Sequence, residues 1–181
     1  MYATWCSKIA PPALALSKQF LNCSVQAAVT YYSSPAGIIE ITGTGAGIES
    51  VLFCSNKGED SGQSAVVEQC KIQLEEYFAG SRKTFDLPLA PNGTDFQKRV
   101  WNELLNIPYG KVVSYLDMAR RLGDEKTIRA AASANGKNPI GIIIPCHRVI
   151  GANGDLTGYA GGLDKKRLLL ELEGSIGKGL F

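Results

Sequence analysis

The run Leu87-Pro88-Leu89-Ala90-Pro91-Asn92-Gly93 divides the 181-residue chain into two parts of different character. Its prolines remove backbone donors and push the residues before them out of helical geometry, while Asn-Gly favours a turn. No helix and no central strand can run through such a stretch. The fold must therefore be built from what lies on either side, residues 1–90 and 91–181. With 45% of the chain apolar, the two parts hold enough material for a sizeable core.

Upstream of the break the pattern is mostly that of strands. Val25–Tyr32 is rich in β-formers and ends in the turn Ser33-Ser34-Pro35-Ala36-Gly37. Ile38–Thr42 and Ile48–Cys54 then flank a second turn at Gly43–Gly47, which predicts a three-strand meander. Across Ser64–Ala79 the apolar residues Val66, Val67, Cys70, Ile72, Leu74 and Phe78 fit an amphipathic helix closed by Gly80. Phe85–Leu89 fits a further edge strand. The glycines punctuate hairpins; none opens a phosphate-binding loop.

Downstream the chain becomes helical. Thr94-Asp95-Phe96-Gln97 is a capping box, followed by the apolar stripe Phe96, Val100, Trp101, Leu104 and Leu105 up to a stop at Pro108-Tyr109-Gly110. Ser114 caps a second helix, Tyr115–Leu122, and Gly123 ends it. After a turn at Asp124-Glu125-Lys126, either Asp124 or Thr127 caps a third helix reaching about Asn135. This spacing suits a helix-turn-helix and a plain αα-hairpin equally. The third helix, Arg129-Ala130-Ala131-Ala132-Ser133-Ala134-Asn135, is thin and smooth. Recognition helices usually offer several long polar side chains to base edges. Contact with DNA through this helix would therefore read shape and phosphate, with little sequence preference; Arg129 at a base step in the minor groove fits that profile.

Net charge is only +2, but unevenly spread. Residues 1–91 carry 6 Lys/Arg against 8 Asp/Glu, and residues 92–181 carry 13 against 9, which favours a polyanion at the C-terminal part. Five cysteines (Cys6, Cys23, Cys54, Cys70, Cys146) form no CxxC and lack the spacing of a disulfide framework, so we expect a reducing cytoplasm and no metal. Ile9–Leu16 is too short and too proline-broken for a signal or spanning segment, and Asn22 spoils the faint lipidation pattern before Cys23. No membrane association is expected.

The chain has one histidine, and it directly follows a cysteine in Pro145-Cys146-His147-Arg148-Val149. Any thiol chemistry that needs an imidazole is thus confined to this place. Neighbouring side chains point in different directions, so a bridging water or a turn should connect them. With Asn138-Pro139 before it and Gly158-Tyr159-Ala160-Gly161-Gly162 after it, the segment resembles the O6-alkylguanine-DNA alkyltransferase family, also known as methylated-DNA–protein-cysteine methyltransferases. The match runs from about Thr94 to Gly174, and residues 1–90 agree in general character.

The resemblance implies an α+β fold: a small N-terminal α/β (RNase H-like) domain with antiparallel strands, and a helical C-terminal winged-helix domain carrying the helix-turn-helix. It implies single-use transfer of an alkyl group from O6-alkylguanine to Cys146, with no cofactor. The partner would be double-stranded DNA, bound through the minor groove by a monomer in the cytoplasm or nucleoid. In this reading His147 is the water-mediated base, Glu173 orients it, Asn138 shapes the cysteine's turn and Tyr115 faces the guanine. Arg129, Ala130, Ser133, Ala134 and Asn135 would meet DNA, and Tyr159, Ala160, Gly161 and Lys166 would line the base pocket. Some of these have plainer readings. Glu173 ends a helix, where a carboxylate opposes the dipole, and Lys165, Lys166 and Arg167 could be phosphate contacts or one solvated face. Ala160 stands where some relatives carry a hydroxyl. Two other functions compete: a thiol hydrolase, which would need an oxyanion hole, and a regulatory or lesion-binding helix-turn-helix protein that transfers nothing.

Overall fold

The computed structural model describes residues 27–177. The expectations for Cys6, Ile9–Leu16, Cys23 and the first residues of the Val25 strand lie outside the described residues.

Strands β1 (Ala28–Ser34), β2 (Gly37–Thr44) and β3 (Gly47–Cys54) form the expected antiparallel meander, in the order β1-β2-β3. Alternation turns Ala28, Thr30, Ile39, Ile41 and Val51 inward, and the register shift at Thr42/Gly43 brings Ile48 in as well. Helix α1 (Ala65–Phe78) packs across all three strands with Val67, Cys70, Leu74 and Tyr77, a helical spacing of three and four. Ser64 caps its start, and Gly80 follows its end at φ +78°, a backbone conformation costly for other residues. Ile72 is off the packed face and exposed, whereas Tyr77, absent from the expected stripe, has no exposure at all.

The free edge of β3 is covered by two short segments. Phe85–Leu89 forms no strand; only a single bridge forms, in which Ile48 N–H donates to Pro88 O (2.8 Å) and Ala90 N–H to Ile48 O (2.7 Å). Pro88 has no N–H with which to extend the ladder. Farther along, Val51 N–H donates to Pro139 O and Gly141 N–H to Val51 O, both at 2.9 Å. The sheet edge thereby grips the loop that leads to Cys146.

In the C-terminal part, α2 (Asp95–Leu105) starts at the Thr94 capping box and buries Val100, Trp101 and Leu104; Leu105 falls off the stripe and is 46% exposed. Gly93 lies flat against the Trp101 ring, leaving no room for a β-carbon. Trp101 Nε1 donates to Ala134 O at 2.9 Å, tying α2 to α4. Helix α3 (Tyr115–Arg121) begins at a second capping box, Ser114 with Asp117. Asp124 caps a short 3₁₀ turn, Glu125–Thr127, before α4 (Ile128–Gly136), and Thr127 makes no side-chain cap. The chain then passes through a 3₁₀ turn at Cys146–Arg148. Two-residue strands β4 (Val113–Ser114) and β5 (Val149–Ile150) pair in parallel, and α5 (Leu163–Leu172) closes the structure. Among the described residues no helix is long and apolar enough to cross a membrane.

Candidate active site

The loop from Asn138 to Cys146 is held by its own first residue. Asn138 Nδ2 donates to Ile144 O (2.8 Å) and Ile140 O (3.3 Å), while its Oδ1 accepts from Ile140 N–H (3.0 Å). Two tight turns follow. Ile142 sits at φ +68° with Ile143 N–H donating to Gly141 O, and Pro145 bends the chain so that Cys146 N–H donates to Ile144 O. A buried β-branched residue at positive φ costs on the order of 1–3 kcal/mol, so the surroundings must over-determine the conformation. Asn138 on one side and Val51 on the other do so.

Cys146 is 6% exposed. Burial pushes its thiol up, against the Asn138 amide and the Lys166 cation, which favour thiolate. At rest, then, it is a neutral thiol that needs a base at the moment of reaction. No hydrogen bond joins it to the His147 ring. His147 is fully buried, and its Nε2 lies 2.9 Å from Glu173 Oε1. A carboxylate can only accept, so Nε2 carries the proton and Nδ1 keeps its lone pair. Nδ1 is buried and has no protein partner. Burial pushes His147 down and outweighs the pull of Glu173, leaving the imidazole neutral.

Glu173 is the C-cap of α5 and is saturated with donors. Oε1 accepts from His147, from Arg148 Nη2 (2.9 Å) and from Tyr77 OH (2.8 Å); Oε2 accepts from Arg148 Nε (2.8 Å) and Gly110 N–H (3.3 Å). Burial opposes its charge, but the hydrogen bonds from His147 and Arg148 prevail and hold the carboxyl down to about 2. Arg148 also donates Nη1 to Ile107 O at 2.5 Å. These partners resolve the unfavourable helix-end placement of this carboxylate: side-chain and loop donors outweigh the dipole.

The other expected residues divide into groups. Tyr115 is half-buried, with its hydroxyl donating to Thr157 O (3.3 Å); burial pushes the phenol up, so it stays protonated. Lys166 is fully buried and donates to Val149 O (2.6 Å) and Thr157 O (2.7 Å), which takes it out of any phosphate-contacting face. Tyr159 and Gly161 pack together, with Phe53 of β3 against Gly161, while Ala160 is exposed. On α4, Arg129, Ala130 and Ser133 face outward. Ala134 and Asn135 do not: both are buried, Ala134 under Trp101 and Asn135 with its Nδ2 3.4 Å from Cys146 O. Their expected contact with DNA is corrected to packing behind the reactive loop. Among the described residues no cluster of His, Cys, Asp and Glu could hold a metal.

Two family models match the chain. One, described as 6-O-methylguanine DNA methyltransferase, ribonuclease-like domain, covers residues 28–91; the other, the DNA binding domain of the same protein, covers residues 95–175. A methylated-DNA–protein-cysteine methyltransferase of Methanosarcina acetivorans is 50% identical over 150 residues, 80% of this chain and 96% of the relative. The chain belongs to this methyltransferase family. The likeness also reaches well into the first ninety residues, where the sequence motifs are least distinctive. Among solved structures, the Mycobacterium tuberculosis O6-methylguanine methyltransferase aligns with a TM-score of 0.75 at 42% identity, over 83% of this chain and 94% of that one. The same organism's protein in complex with DNA aligns with a TM-score of 0.73 at 44% identity, over 80% and 91%.

Two residues of the buried cluster escape a reading of the sequence. Arg148 stands inside the methyltransferase motif, and its place beside the sole histidine was the available signal. Tyr77 lies 96 residues from Glu173, and nothing in the sequence pairs them.

Proposed function

We propose that this chain repairs DNA by taking the alkyl group of O6-alkylguanine onto Cys146 Sγ, once per molecule. The observation that carries the proposal is the neutral thiol of Cys146 on a rigid loop beside a histidine whose Nε2 is committed to Glu173. The free lone pair on His147 Nδ1 is the base, acting on the thiol through a bridging water. Sulfur attacks the alkyl carbon, a carbon–sulfur bond forms and the carbon–O6 bond breaks. The thiol proton goes to His147, while the protonated Tyr115 hydroxyl neutralises the departing guanine, which leaves carrying a proton. The product is a thioether, and no residue near Cys146 can hydrolyse it.

The target atom lies within a base stack and must be brought out, at a cost of a few kcal/mol that is smallest for a poorly paired lesion. Arg129, Ala130 and Ser133 form the outward strip of α4 that would lie along the minor groove, with Arg129 filling the gap. The Cys146 sulfur is nearly closed off, so the base reaches it by displacing the segment 157–162, which carries Tyr159, Ala160 and Gly161. This segment has glycines at positive φ at both Gly158 (+50°) and Gly162 (+96°). A reducing compartment such as the cytoplasm suits a function that depends on a free thiol, and the described cysteines are all free.

Intact-mass measurement after incubation with a duplex containing O6-methylguanine tests this. The protein should gain about 14 Da, one methyl for one proton, with at most one lesion repaired per molecule, and Cys146→Ala should gain nothing. An unmodified wild-type protein, or several lesions repaired per molecule, overturns the reading.

A further inference from the structure

The buried cluster at Glu173 is completed from the other half of the chain. Tyr77, on α1, is fully buried and sends its hydroxyl to Glu173 Oε1, the oxygen that also receives His147 Nε2. Its ring is fixed by Phe78, Phe85 and Tyr109, with centroids 5.3, 5.5 and 6.2 Å away, so the hydroxyl has one direction in which to point. Within the C-terminal part alone, Arg148 and Gly110 already satisfy most of this carboxylate. The tyrosine is therefore not needed to neutralise Glu173. Its effect must fall on the oxygen it shares with the imidazole.

We propose that Tyr77 is a positioning residue for alkyl transfer: by occupying a lone pair of Glu173 Oε1 it fixes the angle and limits the strength of the bond to His147. This rests on the proposed role of His147 as the base. A carboxylate oxygen that accepts three hydrogen bonds shares its charge among them, and each added donor weakens its hold on an imidazolium. Tyr77 thereby keeps His147 neutral, and ready to take a proton, at a lower pH than the His147–Glu173 pair would by itself. The titratable and charged groups around the imidazole are Lys166 of α5 and Glu173 at its C-cap, Arg148 and Cys146 beside it in the chain, Tyr109 of the same half, and Tyr77 from across the junction. Of these, Tyr77 is the group that the N-terminal half places on the carboxylate.

The single histidine makes the test direct, since an untagged ¹⁵N-labelled protein has one imidazole to titrate. Tyr77→Phe keeps the ring and removes only the donor. Its His147 midpoint should rise by about one pH unit, and the acid limb of the single-turnover transfer rate should move upward with it. Tyr109→Phe, which removes a hydroxyl bound to Leu172 O instead, should leave both unmoved. Superimposable titrations and pH–rate profiles for wild type and Tyr77→Phe overturn the proposal. So does a rate loss that is uniform across pH and follows a fall in melting temperature. In the wild type, the Tyr77 hydroxyl proton should appear as a slowly exchanging signal with a cross-peak to His147 Nε2–H; a visible Nε2–H without that neighbour also overturns it. A wild type that forms no methyl adduct would instead defeat the underlying functional reading, while the titration, read without DNA, would still stand.

Discussion

Lys166 has no exposure, a rare position for an ammonium group. Its Nζ bridges two carbonyls, Val149 O just past the reactive turn and Thr157 O at the start of the segment that carries Tyr159, so the side chain acts as a strut between them. Burial draws its pKa to about 8, against the pull that a Cys146 thiolate exerts. Lys165, Lys166 and Arg167 look alike by composition, but the face they share with their neighbours separates them. Lys166, Leu169, Leu170 and Glu173 follow a spacing of three, four and seven and are all buried, so periodicity held the information that charge concealed. Lys166→Met preserves length and packing but takes the side-chain donor from Val149 O and leaves Thr157 O only the longer bond from Tyr115, which should cost about 2 kcal/mol of stability. Because the ammonium meets no phosphate, the dependence of DNA affinity on salt should keep its slope. Anisotropy titrations across a salt series check this; a slope smaller by about one would show that Lys166 contacts the DNA backbone after all.

At the level of elements, α4 shows how an alanine-rich helix can hide its own amphipathicity. Its two faces differ sharply in burial, with Ala131, Ala134 and Asn135 inward and Arg129, Ala130 and Ser133 outward, yet alanine stands on both. A hydrophobic pattern needs contrast between residue types, and here there is almost none. That is why Ala134 and Asn135 could not be told from surface residues before the structure placed Trp101 and the Cys146 loop against them. Capping chemistry was far more legible, because Thr94 with Gln97 and Ser114 with Asp117 act locally. If the outward strip of α4 lies in a minor groove, it must stay small and free of negative charge. Ala130→Glu puts bulk and an anion at the third residue of the helix, where the dipole welcomes a carboxylate and stability should hold. Affinity for duplex DNA should fall tenfold or more, about 1.4 kcal/mol, with the melting temperature unchanged. Unaltered affinity would place the DNA on another face.

On the scale of the whole molecule, the break at residues 87–93 marks a change of pattern, but it does not separate two independent bodies. Three contacts cross from the sheet side to the reactive site: Val51 to Pro139 and Gly141, Phe53 against Gly161, and Tyr77 to Glu173. None was legible in the sequence, since each joins residues more than eighty positions apart and none carries a local motif. Their consequence is that acid acts on both halves at once. Glu173 is held at about 2 when folded, against 4.5 when free, so between those values the unfolded chain binds the extra proton. Stability is therefore full above that interval and falls as the pH drops through it, by up to roughly 3 kcal/mol from this residue alone. His147, whose proton affinity burial reduces, adds a loss of the same sign that begins below about 6.5. Protonating Glu173 would release Arg148 and Tyr77 together, loosening α1 as well as α5. Urea unfolding followed by amide exchange between pH 7 and pH 3 should then show one transition, with Ile39 and Ile41 of β2 losing protection in step with Val100 and Leu104 of α2. Two separated transitions, with the sheet surviving at a pH where α2 has opened, would mean that the buried carboxylate serves the C-terminal half alone.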